Sequence, residues 1–379
     1  MGQCYDCLVM RGVSYLRCFL WTACWFSTAL ALGAEDPKLV FPRIEWEKVK
    51  PEVEGYSSGK FEVLRAWLKL QQTTALHVSI RGRVLFEYGD VSRISKVASV
   101  RKSILAMLYG NYVAQGKVDP NSTVEQLGLE DVQPFLPIEK RATLQHLLTA
   151  RSGIYLPTAN EELTALMPRR GSQAPGTYFQ YQNWDFNAAG TAFEKLTGKD
   201  IFAALEEDLA KPLDMQDFDR TRQRKNNEMP ITKHPEYAMY LSARDMARLG
   251  LLMLADGRWR SKQVMPKGWA SQITALVTHP EELHPMGVGA YRTQIGRWGY
   301  GMLWWVWDAP AWPGTLTGPY QGAFTAIGAN GQYITVLPAM DMVFAHKVDF
   351  DEGSRHISPS EFHTILQMVI ESFCSGGCK

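Results

Sequence analysis

Ser99-Val100-Arg101-Lys102 places a hydroxyl and an amine three residues apart at the start of an apolar stretch, SVRKSILAMLYGNYV. Residues at i and i+3 share one helix face, so Lys102 can sit beside the Ser99 oxygen and serve a nucleophile with its own amine. Ile104, Leu105, Leu108, Tyr109 and Val113 recur at helical spacing and predict a buried helix. In its first turn, Ser99 would feel the positive end of the helix dipole, which favours developing negative charge. The spacing suits a plain helix cap with a solvated lysine equally well. A second copy, Ser57-Ser58-Gly59-Lys60, precedes the amphipathic FEVLRAWLKLQQ, and there Ser57 or Ser58 reads as a cap.

A second chemical element lies in PGTYFQYQNWDFNAAG, Pro175 to Gly190, where Tyr181-Gln182-Asn183 precedes a predicted helix. A phenol, with an ordinary pKa of about 10, is a poor base. An ammonium beside it favours the phenolate, so a lysine and a tyrosine converging on one serine make a proton-transfer pair. The Asn183 amide can donate to a substrate carbonyl and also accept a hydrogen bond. The plainer alternatives are a packed aromatic at Tyr181 and a helix cap at Asn183. Tyr109-Gly110-Asn111 fits the same pattern, but it lies about three turns along the Ser99 helix and cannot bend back to that residue.

The elements that must position these groups change character along the chain. ALHVSIRGRVLFEY, Ala75 to Tyr88, reads as a hairpin turning at Arg81-Gly82-Arg83. From about 116 to 275 the pattern is mostly helical, with TLQHLLTA, FNAAGTAFEKLTG, IFAALEEDLAKPL and SARDMARLGLLMLADG as pieces and Gly198 and Gly257 as stops. After 295, YGMLWWVW, GQYITVLP and DMVFAHKV read as strands, with Met340-Asp341 as a turn, and SPSEFHTILQMVIESF closes the chain as a helix. Short connections imply antiparallel pairing. The expected architecture is α/β (α+β): one antiparallel sheet built from both chain ends, flanked by helices, with an inserted mostly helical lobe. Its sheet lobe would take about 60–115 and 285–379, its helical lobe about 116–284, and the site the cleft between them.

Composition narrows the setting. Arg11 and Arg17 precede the apolar run CFLWTACWFSTALAL, which ends in small residues, so residues 1–34 read as a signal peptide and 35–379 as the exported domain, periplasmic or secreted. The run is short for a membrane span, and nothing later in the sequence is long enough for one. Four of the six cysteines lie at or before position 24, leaving Cys374 and Cys378 in the terminal CSGGCK. Two cysteines without nearby histidine are too few for structural zinc, and a small disulfide fits an oxidising compartment. The chain has 40 basic and 39 acidic residues, and without the leader's Arg11, Arg17 and Asp6 the two are equal in number. With no basic tract either, nucleic acid is not an expected partner.

Taken together the motifs are more specific than any one of them. ASVRKSIL, TLQHLLTARSG (Thr143 to Gly153), PGTYFQYQNWDFNAAG and YLSARDMARLGLLMLADGRW occur in an order that resembles the serine β-lactamase-related hydrolases, which include class C β-lactamases, DD-peptidases and related esterases. The resemblance runs from about Thr74 to Val348. FTAIGANGQYITVLPAMDMVFA, Phe324 to Ala345, resembles most the 6-aminohexanoate-dimer hydrolase branch. One departure is notable. Gly328-Ala329-Asn330-Gly331 stands where the β-lactamases carry Lys-Thr-Gly or a histidine-bearing equivalent, and no cation is present. A lysine there would help hold a substrate carboxylate, so its absence argues against efficient β-lactam turnover.

The resemblance implies two-step acyl transfer to a small-molecule amide or ester substrate. Ser99 is the expected nucleophile, with Lys102 and Tyr181 handling protons and the Ser99 and Ala329 backbone N–H groups holding the oxyanion. Asn183, Gly328 and Asn330 are the expected substrate-binding positions, and no metal or organic cofactor is implied. A β-lactamase or DD-peptidase is the nearest rival, and a non-catalytic peptide-binding relative is the rival from another class. A nucleophile-elbow hydrolase is disfavoured because no Gly-x-Ser-x-Gly occurs. Trp184, Trp304, Trp305 and Trp307 flank the motifs and are read either as cleft walls or as packed core.

Overall fold

The computed structural model describes residues 39–159, 167–227, 229–283, 298–307, 318–349, 353 and 355–374. The expected signal peptide and Cys378 lie outside the described residues; Cys374 is disulfide-bonded. Helix α1 (Ser58–Leu68) leads into the hairpin β1 (Ala75–Ile80) and β2 (Arg83–Gly89), then the short β3 (Ser95–Lys96) and α2 (Val100–Ala114). The middle of the chain carries α3 (Leu144–Leu148), α4 (Asn183–Thr197), α5 (Ile201–Ala204), the short strands β4 (Arg224–Asn226), β5 (Glu236–Ala238) and β6 (Tyr240–Leu241), and α6 (Ala243–Leu254). A small hairpin of β7 (Arg258–Trp259) and β8 (Lys262–Gln263) precedes α7 (Trp269–Ile273). The last portion holds β9 (Gly299–Tyr300), β10 (Trp305–Val306), β11 (Phe324–Gly328), β12 (Gln332–Leu337), β13 (Met342–Lys347) and α8 (Pro359–Ile370).

The central sheet has strand order β2-β1-β13-β12-β11-β10-β9, with antiparallel neighbours throughout. The first two strands therefore join the last five, as expected of a sheet built from both chain ends. Arg81 and Gly82 both have positive φ, the backbone required of a two-residue hairpin turn that matches strand twist. Every residue of β1, β12 and β13 is buried, so these strands are covered on both faces. Helix α6 packs against β1, β12 and β13, and α2 against β11 and β12, while α1 packs on α8 and β2.

Three segments depart from the expected pattern. YGMLWWVW is not one strand but a tight hairpin, because Leu303 adopts a left-handed φ of 61° and folds Trp305 back onto Tyr300. The stretch from 117 to 142 contains turns, an isolated bridge from Thr123 to Thr143 and one short 3-10 helix, Glu139–Arg141. Pro120, Pro134 and Pro137 remove backbone donors there, and side chains such as Asp119 and Glu139 take the N–H groups of Asn121 and Leu136 instead. Helix α6 falls within 116–284 yet lies on the central sheet, where a Cβ at Gly250 would stand 2.4 Å from the Val343 side chain. Elsewhere the turn at Met340-Asp341 and the helix stop at Gly198 stand as the sequence predicts.

Candidate active site

Residues 95–102 form the turn that carries Ser99 and Lys102. β3 pairs with β6, and the Val97 N–H donates to the Met239 carbonyl, so a ladder delivers the chain to this point. Ala98 then adopts φ 46°, a left-handed conformation that a residue with a Cβ holds only at a cost of about 1 kcal/mol or more. The turn places Ser99 at the threshold of α2 with helical backbone angles, φ −71° and ψ −6°, and its side chain makes no capping bond. The Ser99 oxygen instead accepts from Lys102 Nζ at 2.9 Å. Helix α2 is buried almost all round: Ile104, Leu105, Leu108 and Tyr109 are in the core, and Val113 is partly buried.

Lys102 is only 2 % exposed and also donates to the Tyr181 hydroxyl at 2.9 Å. Its ammonium stands 4.3 Å from the centre of the Tyr181 ring and 4.5 Å from that of Phe186, in range for attraction to the ring faces. The alcohol, the amine and the phenol, separated by up to 82 positions in the numbering from Ser99 to Tyr181, therefore meet around one nitrogen.

Tyr181 stands just before α4 and is held by two neighbours in its own motif. The Gln182 amide donates to the Ile154 carbonyl at 2.6 Å and to Asp185 Oδ1 at 3.1 Å. Ser152 Oγ donates to the same Asp185 oxygen at 2.5 Å. Asp185 is wholly buried, and burial pushes its carboxyl well above the usual range, against the hydrogen bonds from Ser152 and Gln182. Gln182, rather than Asn183, occupies the cap position of α4, with no side-chain cap, and Asn183 is the first helical residue. Neither Gln182 nor Asp185 is singled out by the sequence, because Gln182 is the spacer of the Tyr-x-Asn pattern and Asp185 lies two residues beyond it.

The end of β11 closes on the same turn. A Cβ built on Gly328 would lie 2.4 Å from the Val97 carbonyl and 3.1 Å from the Ser99 nitrogen. The strand can approach the Ser99 backbone this closely only because position 328 has no side chain. Ala329 follows, exposed, and Asn330 takes a left-handed φ of 64° in the three-residue turn to β12. His346 fixes that turn: its Nδ1–H donates to the Gly331 carbonyl at 2.7 Å, and Thr73 Oγ1 donates to its Nε2 at 2.9 Å. Burial lowers the His346 pKa to about 4, which keeps the ring in the neutral form these two bonds require.

The four flanking tryptophans are all buried. Trp305 packs its ring against that of Tyr181, at 5.6 Å between centroids, while Trp184 donates to Asp131 and Trp304 meets Phe324 edge-on. Arg101 and Glu236 are further residues that the motifs did not single out. Arg101 Nη2 donates to Asn187 Oδ1 on α4 at 2.9 Å, its guanidinium covers the Tyr237 ring at 4.2 Å, and its Nε is 3.8 Å from Glu236. Glu236 also pairs with Lys96 at 3.2 Å and accepts from Asn226 at 2.7 Å. Burial pushes the Glu236 carboxyl up, but Arg101, Asn226 and Lys96 together outweigh it and hold it below its ordinary value. A second charged side chain in the first turn of an apolar helix, between Ser99 and Lys102, is the available signal for Arg101; Glu236 gives none.

Among the described residues no group of three or more His, Cys, Asp or Glu side chains could hold a metal ion. Among the same residues no helix is long and apolar enough to cross a membrane.

Comparison with known proteins gives this geometry a context. A provisionally described 6-aminohexanoate-dimer hydrolase from Bacillus anthracis superposes with a TM-score of 0.59 at 19% identity, covering 86% of this chain and 86% of that one. A family VIII carboxylesterase gives 0.58 at 14% identity over 86% of this chain and 99% of its own. A class C β-lactamase gives 0.58 at 14% identity over 83% and 96%. At these identities the likeness is one of fold, the β-lactamase and transpeptidase fold with its large antiparallel sheet and flanking helices. An uncharacterized protein of Alkalihalophilus pseudofirmus is 23% identical over 274 residues, 65% of this chain and 71% of that protein. The beta-lactamase family model matches residues 72–348, most of the chain, and the protein belongs to that family.

Proposed function

We propose that the protein is an exported serine hydrolase that cleaves small amide or ester substrates through an acyl group carried on Ser99. One observation carries the reading: Lys102 Nζ lies 2.9 Å from both the Ser99 and the Tyr181 oxygens. As the Ser99 oxygen attacks the substrate carbonyl carbon, its proton passes to the Lys102–Tyr181 pair. The pair then gives a proton to the departing nitrogen or oxygen, so the C–N or C–O bond breaks and the acyl-enzyme remains. Two groups this close hold and release protons as a unit. Water attacks the acyl-enzyme by the reverse proton route. In this reading the oxyanion is held by the N–H groups of Ser99 and Ala329, which the close approach of Gly328 to the Ser99 nitrogen supports.

The absence of a cation at Gly328 to Gly331 supports substrates without a carboxylate at that point, in preference to β-lactams. Asn183, Gly328 and Asn330 line the approach to the carbonyl in this reading. The test is labelling with a fluorophosphonate probe. Wild type should be labelled and Ser99→Ala should not; equal labelling would sink the proposal. A panel of short amides, short esters and a chromogenic cephalosporin then assigns the substrate class. Faster turnover of the cephalosporin would replace the amide and ester reading with β-lactam hydrolysis.

A further inference from the structure

The turn that presents Ser99 is gripped from both sides by one buried carboxylate. Lys96 precedes Ala98, the residue with the left-handed backbone, and Arg101 follows it; both face Glu236, at 3.2 Å and 3.8 Å. Glu236 belongs to the segment 236–241, whose backbone also pairs with Ser95, Lys96 and Val97, so side chain and ladder hold the same turn. Arg101 extends the grip. Its other nitrogen reaches Asn187, one turn into the helix that begins just after Tyr181. Arg101 and Glu236 are 1 % and 4 % exposed, so these contacts are shielded from water and rigid.

Resting on the serine-hydrolase reading above, we propose that Arg101 and Glu236 form a positioning pair that sets the spacing of Ser99 and Lys102 relative to Tyr181. Arg101 spends its bonds on Asn187 and Glu236, and Glu236 on Lys96, Asn226 and Arg101. Glu236 holds the strained backbone at Ala98, which aims the Ser99 oxygen at Lys102 instead of at a helix N–H. Arg101 fixes α2 to α4, which sets the distance between Lys102 and Tyr181. Misplacement of such groups by about 1 Å costs on the order of 100-fold in rate. Because the pair lies away from the substrate carbonyl, its loss should lower kcat and leave KM nearly unchanged.

The experiment measures kcat and KM on a p-nitrophenyl ester of a short acid, the rate of fluorophosphonate labelling, and the melting temperature. Wild type is compared with Ser99→Ala, Glu236→Gln, Glu236→Asp, and Arg101→Met combined with Glu236→Leu. Glu236→Gln should lower kcat and the labelling rate about 30-fold with KM within about threefold, and Glu236→Asp, which restores the charge, should recover part of the loss. Replacing both buried charges by apolar groups leaves only the Lys96 ammonium without its Glu236 partner, and that side chain is a quarter exposed and can turn to water, so the fold is expected to be kept. A folded double variant with kcat still reduced about 30-fold or more supports positioning. Wild-type kcat in the double variant or in Glu236→Gln overturns it, whatever happens to the melting temperature. If wild type and Ser99→Ala label alike, the hydrolase reading fails and the pair's role falls with it. If only wild type and the pair variants are alike, the pair's role fails and the hydrolase reading stands.

Discussion

The chain contains two Ser-x-x-Lys segments at the start of helices, and the fold uses them for opposite purposes. At α1, Ser57 has extended backbone angles, φ −93° and ψ 116°, and its oxygen accepts from the Lys60 N–H. The Lys60 side chain turns away to the Glu371 carbonyl at 2.6 Å. At α2, Ser99 is already helical, so its oxygen cannot fold back onto that N–H and meets the Lys102 ammonium instead. The same spacing thus yields a cap in one place and a serine–lysine side-chain hydrogen bond in the other. What separates them is the backbone conformation of the serine and the left-handed residue before it, neither of which is a property of the four-letter pattern. The two Tyr-x-Asn segments differ in the same way. Tyr109 donates to the Ala189 carbonyl and Asn111 to the Val264 carbonyl, which tie α2 to its neighbours, whereas Tyr181 meets Lys102.

The sharpest break in this comparison is chemical. Ser99→Ala should lower hydrolysis by about 10⁴-fold or more, since loss of a nucleophile removes the covalent route entirely. Lys102→Ala should cost about 10³-fold and Tyr181→Phe about 10²-fold, in the range of lost acid–base groups. Lys60→Ala and Tyr109→Phe, read with the same ester substrate, should leave kcat within about twofold of wild type while Tyr109→Phe lowers stability by about 1–2 kcal/mol for its lost hydrogen bond. Comparable losses at Lys60 and Lys102 would erase the distinction between the two segments.

Much of this distinction could be read from residue order because its parts are local. Alternating β-rich runs around Arg81-Gly82 specify the hairpin, and apolar spacing after Ser99 specifies α2. The motif order brings Tyr181 into consideration with Ser99. Glu236 escaped notice because its partners, Lys96 and Arg101, lie more than a hundred residues earlier in the chain. Ala98 escaped for a different reason: alanine favours helix, and only the surrounding ladder and ion pairs impose φ 46° on it. The hairpin at Leu303 was hidden likewise, since a run of large apolar residues reads as strand until the Leu303 carbonyl is claimed by Ser103 Oγ at 2.6 Å.

A smaller effect tests the second wall of the site. Gly328→Ala would press a methyl group against the Val97 carbonyl and displace β11 from the Ser99 nitrogen. A loss of about 10- to 100-fold in kcat is expected, comparable with weakening one oxyanion donor. At Ser57 the neighbouring glycine makes no such approach: a Cβ built on Gly59 would stand 3.6 Å from Ser57 Oγ, an ordinary contact. Gly59→Ala should leave kcat unchanged.

The turn behind Gly328 also predicts a pH effect. His346 stays neutral when folded, with a pKa of about 4, but titrates near its ordinary 6.5 when unfolded. Between those values the unfolded chain holds a proton that the native chain lacks, so acidification favours unfolding. The stability from this histidine is present above about pH 6.5 and is lost as pH falls toward 4. Asp245, with a pKa raised to about 6 chiefly by burial, works in the opposite sense over much of that window, so the wild-type curve alone does not isolate His346. Denaturant melts of wild type and His346→Asn do. The variant should be less stable at pH 7, and the gap should narrow by on the order of 2–3 kcal/mol at pH 4, following about 1.4 kcal/mol per pH unit. A gap independent of pH would mean that the ring is not held neutral.

The smallest effect returns to the cap. Ser57→Ala removes an oxygen that satisfies one N–H of a helix packed on the outer elements, and nothing in the reacting cluster depends on it. The cost should be about 1 kcal/mol of stability, the usual value of a serine cap, with fluorophosphonate labelling at the wild-type rate. Ser99 occupies the equivalent position in α2 yet caps nothing, so Ser99→Ala should forfeit no capping energy at all. The pair of alanine variants therefore crosses over: one loses stability and keeps reactivity, and the other keeps stability and loses reactivity. A serine that serves as a cap has its oxygen committed to a backbone N–H, and only one released from that duty by its own backbone angles is available for attack.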